Sequence, residues 1–427
     1  MSDSDARRPS PTRLLPTTRP QVSGHRFMRR RVEHGLLFGD IRMIHDPLAA
    51  RRRALLFGAV AVALLMAGAA LFAWLRPNPD PGDAAILRDP ADNLYVRVDG
   101  TAHPVANLTS ARLVAGAAEE PVRAGEEHLA GMPRGVPVGI ANAPSLFAAA
   151  DSADLAWSVC TTGAGTPSSV TVSAVEPGQA PRLLGSDRAV LAAADGGEWL
   201  VTESGRTRLP APDSPAGRVV RRALGVDAST PRWQPPAPVL GALREHPPVQ
   251  LPDPLPEVLR TEAGAWAIAP GGGVQSLSPT QADILGAAGA VLRDVPRDAL
   301  AAYPDASPPI DLRLPGAAPD WVDPAEEGVC VGEDRGGATA APEQGAVRLS
   351  GGAAATHFAG LRDGAVAVDT GHGFHVVSIH GQRHEVESGA TLEVIGAEHT
   401  EHVPWEILRL LPGGELLSRE AALTAVY

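Results

Sequence analysis

The run ALLFGAVAVALLMAGAALFAWL, from Ala54 to Leu75, decides how the rest of the chain is read. Its 22 residues are all apolar or small. At about 1.5 Å per residue such a helix spans roughly 33 Å, enough to cross a hydrocarbon core of about 30 Å. A buried core helix of that length would carry a polar stripe, and none is present. Arg51, Arg52 and Arg53 abut the N-terminal end; Trp74 and Arg76 mark the other interface, and Pro77, Pro79 and Pro81 end the helix. The arginine bias places residues 1–53 in the cytoplasm and residues 76–427 outside. A cleavable leader fits poorly, because the apolar run is too long and more than fifty residues precede it. Ala59/Ala63/Ala67 and Ala69/Ala73 are spaced for close helix contacts, a pattern that abundant alanine also produces.

Charge divides along the same line. Residues 1–53 hold 12 Arg against 5 acids, and residues 76–427 hold 25 Arg against 44 acids, for a net charge of −12 over 427 residues. The acidic part is therefore not a nucleic-acid binder. Hydrophobic residues at 44% and charged residues at 20% exclude wholesale disorder. With 45 Gly and 41 Pro the outer part consists of short elements joined by turns rather than long helices. The two cysteines, Cys160 and Cys330, both lie outside by this topology. An oxidising exterior favours pairing them over two buried or reactive thiols.

Before the anchor, Ser23 can cap a helix beginning near His25, with Met28, Val32 and Leu36 at spacing four among Arg26, Arg29, Arg30 and Arg31. Gly39-Asp40 breaks it, and Ile41, Ile44 and Leu48 form a second apolar set. Such a basic amphipathic segment docks a partner, lies on anionic lipid, or serves only as a topology signal.

After the anchor a pattern recurs four times. An aromatic in a short apolar strand is followed by a Gly and then by a closing Leu-x-x-x-Pro: Tyr95 to Leu129, Trp199 to Leu243, Trp266 to Leu300 and Phe374 to Leu408. The separations are 34, 44, 34 and 34, and the extra length of the second unit falls around Pro210–Arg222. Helices are expected at Ser110–Val114, Thr280–Leu285 and Gly389–Val394. Each unit reads as a β-hairpin with one or two short helices, too small to bury a core alone. Between units, residues 136–190 and 309–364 are rich in Val, Thr, Ser and Gly, and each holds one cysteine. A Cys160–Cys330 bond would join them into one central β domain, with units one and two flanking one stretch and units three and four the other. The expected division is 1–53 cytoplasmic, 54–75 transmembrane, 76–83 linker, 84–135 repeat 1, 136–190 central domain, 191–250 repeat 2, 251–308 repeat 3, 309–364 central domain and 365–427 repeat 4.

Several stretches resemble one family. TTRPQVSGHRF (17–27), RRVEH (30–34), IRMIHDP (41–47) and RRAL (52–55) are similar to the N-terminal signature of EccB, a membrane component of the actinobacterial type VII (ESX) secretion system. LYVRVDG (94–100), HPVANLTSARL (103–113) and PRGVPVGI (133–140) look like EccB as well. The resemblance implies an α+β, single-pass protein of the inner membrane. It would have a cytoplasmic helix, one transmembrane helix and an elongated periplasmic region of a central β domain plus four small α/β repeats. The implied companions are EccC, EccD, EccE, the mycosin protease, the lipid bilayer and further copies of the chain. The candidate docking residues are Arg26, Phe27, Arg30, Arg31, His34, Arg42, Asp46 and Pro47.

Family members are often labelled ATPases, so ATP is the one cofactor the resemblance brings. The residues give that label little support: all 37 basic residues are Arg, and a phosphate loop needs GxxxxGK[ST]. Gly271-Gly272-Gly273 and Gly351-Gly352 read as turns. His357, His372, His375, His380, His384, His399 and His402 crowd the end of the chain without metal-ligand spacing and read as exposed strand histidines. No GxSxG elbow is present, so no catalytic, cofactor or metal residue is assigned. The expected role is a scaffolding core subunit; the alternatives are an extracytoplasmic ATP hydrolase and a cell-wall-binding module.

Overall fold

The computed structural model describes residues 18–42, 47–75, 79–149, 154–162, 169–340 and 345–426. They fall into two compact units, Met1–Asn78 and Pro79–Tyr427.

The first unit is helical. Arg19–Phe38 forms one helix, with Pro20 in the first turn and the Thr18 N–H donating to the Gln21 side chain at 3.0 Å. Ser23 is therefore inside the helix, not its cap: Pro20 supplies the better first turn three residues earlier. Gly39, at φ 68°, ends it as expected, because only a residue at ease in the left-handed region can take that position. The second helix, Pro47–Leu75, has 29 residues and is roughly 44 Å long. It begins seven positions before the apolar run, so Arg51–Arg53 are part of the helix. Arg51–Leu75 is long and apolar enough to cross a membrane, and its apolar side chains are exposed throughout. Asp46 and Arg76 lie outside the described residues.

Among its described residues the second unit holds five sheets. The central one has seven strands, in the order Val347–Arg348, His357–Ala359, Ser169–Val175, Ala156–Thr162, Gly328–Val331, Gly337–Ala340, Arg182–Leu183. Alternating Val with Ser, Thr and Ala suits strands covered on both faces. Cys160 and Cys330 stand directly opposite each other on adjacent antiparallel strands and are disulfide-bonded.

Three small sheets share one topology. The first has Ile86–Arg88, Leu94–Val98 and Thr101–Pro104 as an antiparallel meander, with Val122–Arg123 parallel to its first strand. The third repeats this with Val258–Thr261, Gly264–Ile268, Val274–Leu277 and Leu292–Asp294. The fourth does so with Val366–Asp369, Phe374–Val377, Arg383–Val386 and Thr400–His402. The second small sheet keeps the meander, Arg188–Ala194, Gly197–Thr202 and Gly205–Arg208. Beside its first strand, however, lies Asp320–Trp321, which arrives from the far side of the third sheet.

In the first, third and fourth small sheets the step from third to fourth strand is a helix, Leu108–Ala115, Pro279–Ala288 and Gly389–Ile395; in the second, the helix Pro215–Ala223 leads instead to Glu245–His246, which lies parallel to the third strand. Asn107, Ser214, Ser278 and Ser388 cap them, each side chain accepting from a backbone N–H in the first turn. Such caps contribute about 1 kcal/mol each. The extra length of the second unit is divided between a longer lead-in, 209–214, and a longer connection, 224–236, on either side of its helix.

The small sheets pair across the chain, not along it as their order had suggested. The first and fourth share a core containing Val96, Leu113, Val376 and Ile395. The second and third share another, containing Leu200, Val220, Val258 and Leu285. Between them the central core gathers Trp157, Phe358 and Trp233 with Leu240, Leu243, Ile407 and Leu408. Short helices are marginal without tertiary partners, and here each helix finds one in the other half of its pair.

Candidate functional site

The sequence pointed to two sets of residues, and they occupy opposite environments. Along Arg19–Phe38, Arg26, Phe27, Met28, Arg30, Arg31 and Val32 are exposed, so the helix shows apolar and basic side chains together. His34 is the exception. It is buried, its Nδ1–H donates to the Asp40 carbonyl at 3.0 Å, and its ring packs 5.0 Å from Phe38. His34 therefore secures the end of the helix and is withdrawn from the surface. Arg42 is exposed, its backbone N–H donating to Asp40. Pro47 opens the second helix, Arg51–Arg53 sit in its early turns, and Trp74 is exposed near its end.

The aromatic and leucine markers are buried to different degrees. Tyr95 and Leu129 share a small core with Leu87, and Arg134 lies over the Tyr95 ring at 5.8 Å. Trp199 and Leu243 meet in the central core, with Arg206 stacked 4.6 Å from the indole. Phe374 packs on the first–fourth core while Leu408 enters the central one. Trp266 and Leu300 are half-buried.

Other residues hold the sheets together without having been picked out from the sequence. Arg335 donates to the Ala242 and Leu243 carbonyls and pairs with Glu406 at 2.9 Å, tying the turns Ala237–Leu240 and Trp405–Leu408 to one guanidinium. The Trp233 indole N–H donates to Thr161 on the central sheet at 2.8 Å, and that of Trp157 to Glu401 on the fourth. Glu198 accepts from both Arg221 and Arg232; burial alone would raise its pKa, but the two guanidiniums hold it below the usual carboxylate range.

Two of the histidines expected to be exposed, His375 and His384, are buried. His384 is fully buried and donates from Nδ1 to the Glu415 carbonyl; His103 makes the matching bond to Val136 in the first sheet. Each ring lies where the Cβ of Gly414 or Gly135 would be, so those glycines are required by close approach. Thr207 and Gln275 hold the equivalent register in the other two sheets. The readable signal was G-x-x-H-x-V, present at Gly100–Val105 and Gly381–Val386. His375 is also buried, stacked on Trp405 at 5.4 Å; burial and then Arg383 lower its pKa.

Gly271–Gly273 is the hairpin turn between Gly264–Ile268 and Val274–Leu277. Among the described residues, no three His, Cys, Asp or Glu side chains stand close enough to hold a metal ion.

The arrangement is that of a membrane-anchored protein with, among the described residues, one candidate spanning helix and a mixed α+β body. Residues 14–257 match the family described as type VII secretion system ESX-1, transport TM domain B. The chain is 30% identical to the ESX-1 secretion system ATPase EccB1 of Mycobacterium tuberculosis, covering 95% of this chain and 94% of that one. It is 38% identical to the ESX-3 secretion system ATPase EccB3 of Mycolicibacterium smegmatis over 49% of this chain and 41% of that one. A chain of the intact ESX-5 inner membrane complex superposes with a TM-score of 0.64 at 27% identity, over 97% and 96% of the two chains. The EccB3 dimer of the ESX-3 core complex gives 0.65 at 25% identity, over 80% of this chain and 100% of that one. This chain belongs to the EccB family.

Proposed function

We propose that the chain is a structural core subunit of a type VII secretion complex in the inner membrane. The observation that carries this is the match, over nearly the whole of both chains, to a subunit of an intact ESX-5 inner membrane complex. Residues 1–53 lie in the cytoplasm, held there by Arg51–Arg53, and the acidic body stands in the periplasm. The four small sheets are four copies of one module, set around the disulfide-bonded central sheet. The exposed apolar and basic face of Arg19–Phe38 docks other membrane components of the EccC, EccD and EccE type, and the body meets further copies and the mycosin protease. A protein working this way contributes geometry, holding partners in register across the bilayer.

ATP hydrolysis is the second reading, because relatives carry ATPase in their names. It has no lysine to work with in this chain. Deleting residues 17–50 is expected to abolish assembly while the body still folds, as read by native electrophoresis of the detergent-extracted complex. A complex that assembles without the segment would defeat the docking role. ATP turnover by the purified full chain that exceeds background, and is lost on substitution of body residues, would favour the enzyme instead.

A further inference from the structure

Between the central sheet and the fourth small sheet lies a cleft of about 460 Å³, inside the range of about 300–1,000 Å³ that small-ligand sites occupy. Its floor is apolar. Leu155, Val175 and Phe358 come from the side of the central sheet and Val366 from the fourth, and Val347 and Ile379 stand exposed beside them. Its polar wall is acidic. Glu176, Asp363 and Glu398 line it and are exposed, and Glu401, the middle residue of Thr400–His402, lines it at 6% exposure. Among the described residues, none of these four carboxylates is in an ion pair.

Glu401 sits deepest. The Trp157 indole N–H donates to its Oε2 at 2.8 Å, and the Leu155 backbone N–H donates to the same carboxyl. Two such donors suit an anion. Yet no arginine bonds to it. Of the cationic side chains lining the cleft, Arg362 is exposed, and His399 Nε2 lies 2.9 Å from Asp154 Oδ1. Burial pushes the Glu401 pKa up against its donors, as it does for a carboxylate without a countercharge.

We propose that the cleft binds an alkylguanidinium, the group an arginine side chain presents, with the head on Glu401 and the rim carboxylates and the stem on the apolar floor. The lining selects this cation. A bare metal ion needs several ligands drawn close together, and among the described residues no such group of His, Cys, Asp or Glu exists. An ammonium holds its water firmly, whereas a guanidinium is weakly hydrated and enters an apolar surround more readily. Its planar fork also meets a carboxylate edge with two parallel N–H donors. Anions are refused by sign, since four carboxylates face Arg362. The cleft lies in the body, so its occupancy does not depend on the docking of Arg19–Phe38.

The test is saturation-transfer NMR on the full chain in nanodiscs of zwitterionic lipid, titrated with n-butylguanidinium. Saturable binding is expected with Kd about 1–10 mM. n-Butylurea, the uncharged isostere, and methylguanidinium, which lacks the stem, should each bind at least about tenfold more weakly. Glu401→Gln keeps an acceptor for Trp157 and should weaken n-butylguanidinium about tenfold, while Asp298→Asn beside the third small sheet leaves it unchanged. Acetyl-Leu-Arg-Leu-amide separates the sources: affinity well above that of n-butylguanidinium assigns the arginine of a partner segment, and equal affinity assigns a free small cation. No saturation by about 50 mM overturns the proposal, as does equal binding of n-butylurea, an unchanged Glu401→Gln chain, or an Asp298→Asn chain weakened as much as Glu401→Gln. Should Glu401→Gln not fold, Asp363→Asn with Glu398→Gln at the exposed rim serves: binding about threefold weaker is expected, and unchanged binding again overturns the site.

Discussion

The second and fourth small sheets set their closing turns beneath the central sheet, whereas the first and third keep theirs outside it. Leu243 and Leu408 are fully buried in the central core beside Trp157 and Trp233. Leu129 closes a separate cluster of five buried residues, and Leu300 lies half-buried on the short 3-10 helix Arg297–Ala302. One sequence mark thus signs two different energetic roles. The inner sheets define the frame, and the outer sheets are carried by it, the first on the fourth and the third on the second.

The largest effect should come from the inner pair's buried charge. Glu198→Ala leaves Arg221 and Arg232 unpaired and is expected to cost about 3–5 kcal/mol, read from urea unfolding of the full chain. The Glu198 pKa is lowered, so its contribution is complete above the ordinary glutamate range and is lost as pH falls through the depressed value. Glu198→Gln should correspondingly flatten the acid limb of the stability profile. Leu408→Ala and Leu243→Ala follow, at about 2–5 kcal/mol each. Comparable losses at Leu300 would erase the distinction between inner and outer sheets.

Replacing Cys160 and Cys330 together by Ala should cost about 2–5 kcal/mol and lower Tm in a calorimetric scan. A smaller loss would mean that the flanking ladder already holds those strands. Arg112 joins an outer sheet to an inner one, donating to the Ile395 carbonyl at 2.9 Å and pairing with Glu120. Arg112→Ala should cost about 1–3 kcal/mol and show first as faster exchange in Leu108–Ala115. Leu300→Ala should cost no more than about 1 kcal/mol, the smallest change in the series.

The anchor was legible because a long apolar run has few other uses, and Gly39 marked a helix end by conformation alone. The meanders were legible too, since an aromatic strand followed by Gly is a local pattern. What stayed hidden is non-local. Arg112 meets Ile395 across 283 positions, and no periodicity in either segment announces the other. Asp320–Trp321 is too short to read as a strand, yet it completes the second sheet. His103 and His384 share a motif that was present in the sequence, but a histidine in a strand does not reveal that a glycine from the closing segment will lie against its ring. Along Arg19–Phe38 the basic and apolar character is visible in the sequence, while the burial of His34 is not, because its partner, the Asp40 carbonyl, is backbone.

The last described residues return to the beginning of the body. Gly139 donates to the Thr424 carbonyl, Val426 donates to that of Pro137, and Ala425 bridges Val138. The first module of the body is therefore completed by backbone that follows the fourth. Losing those contacts would leave the first module open along one edge, however well its own meander folds.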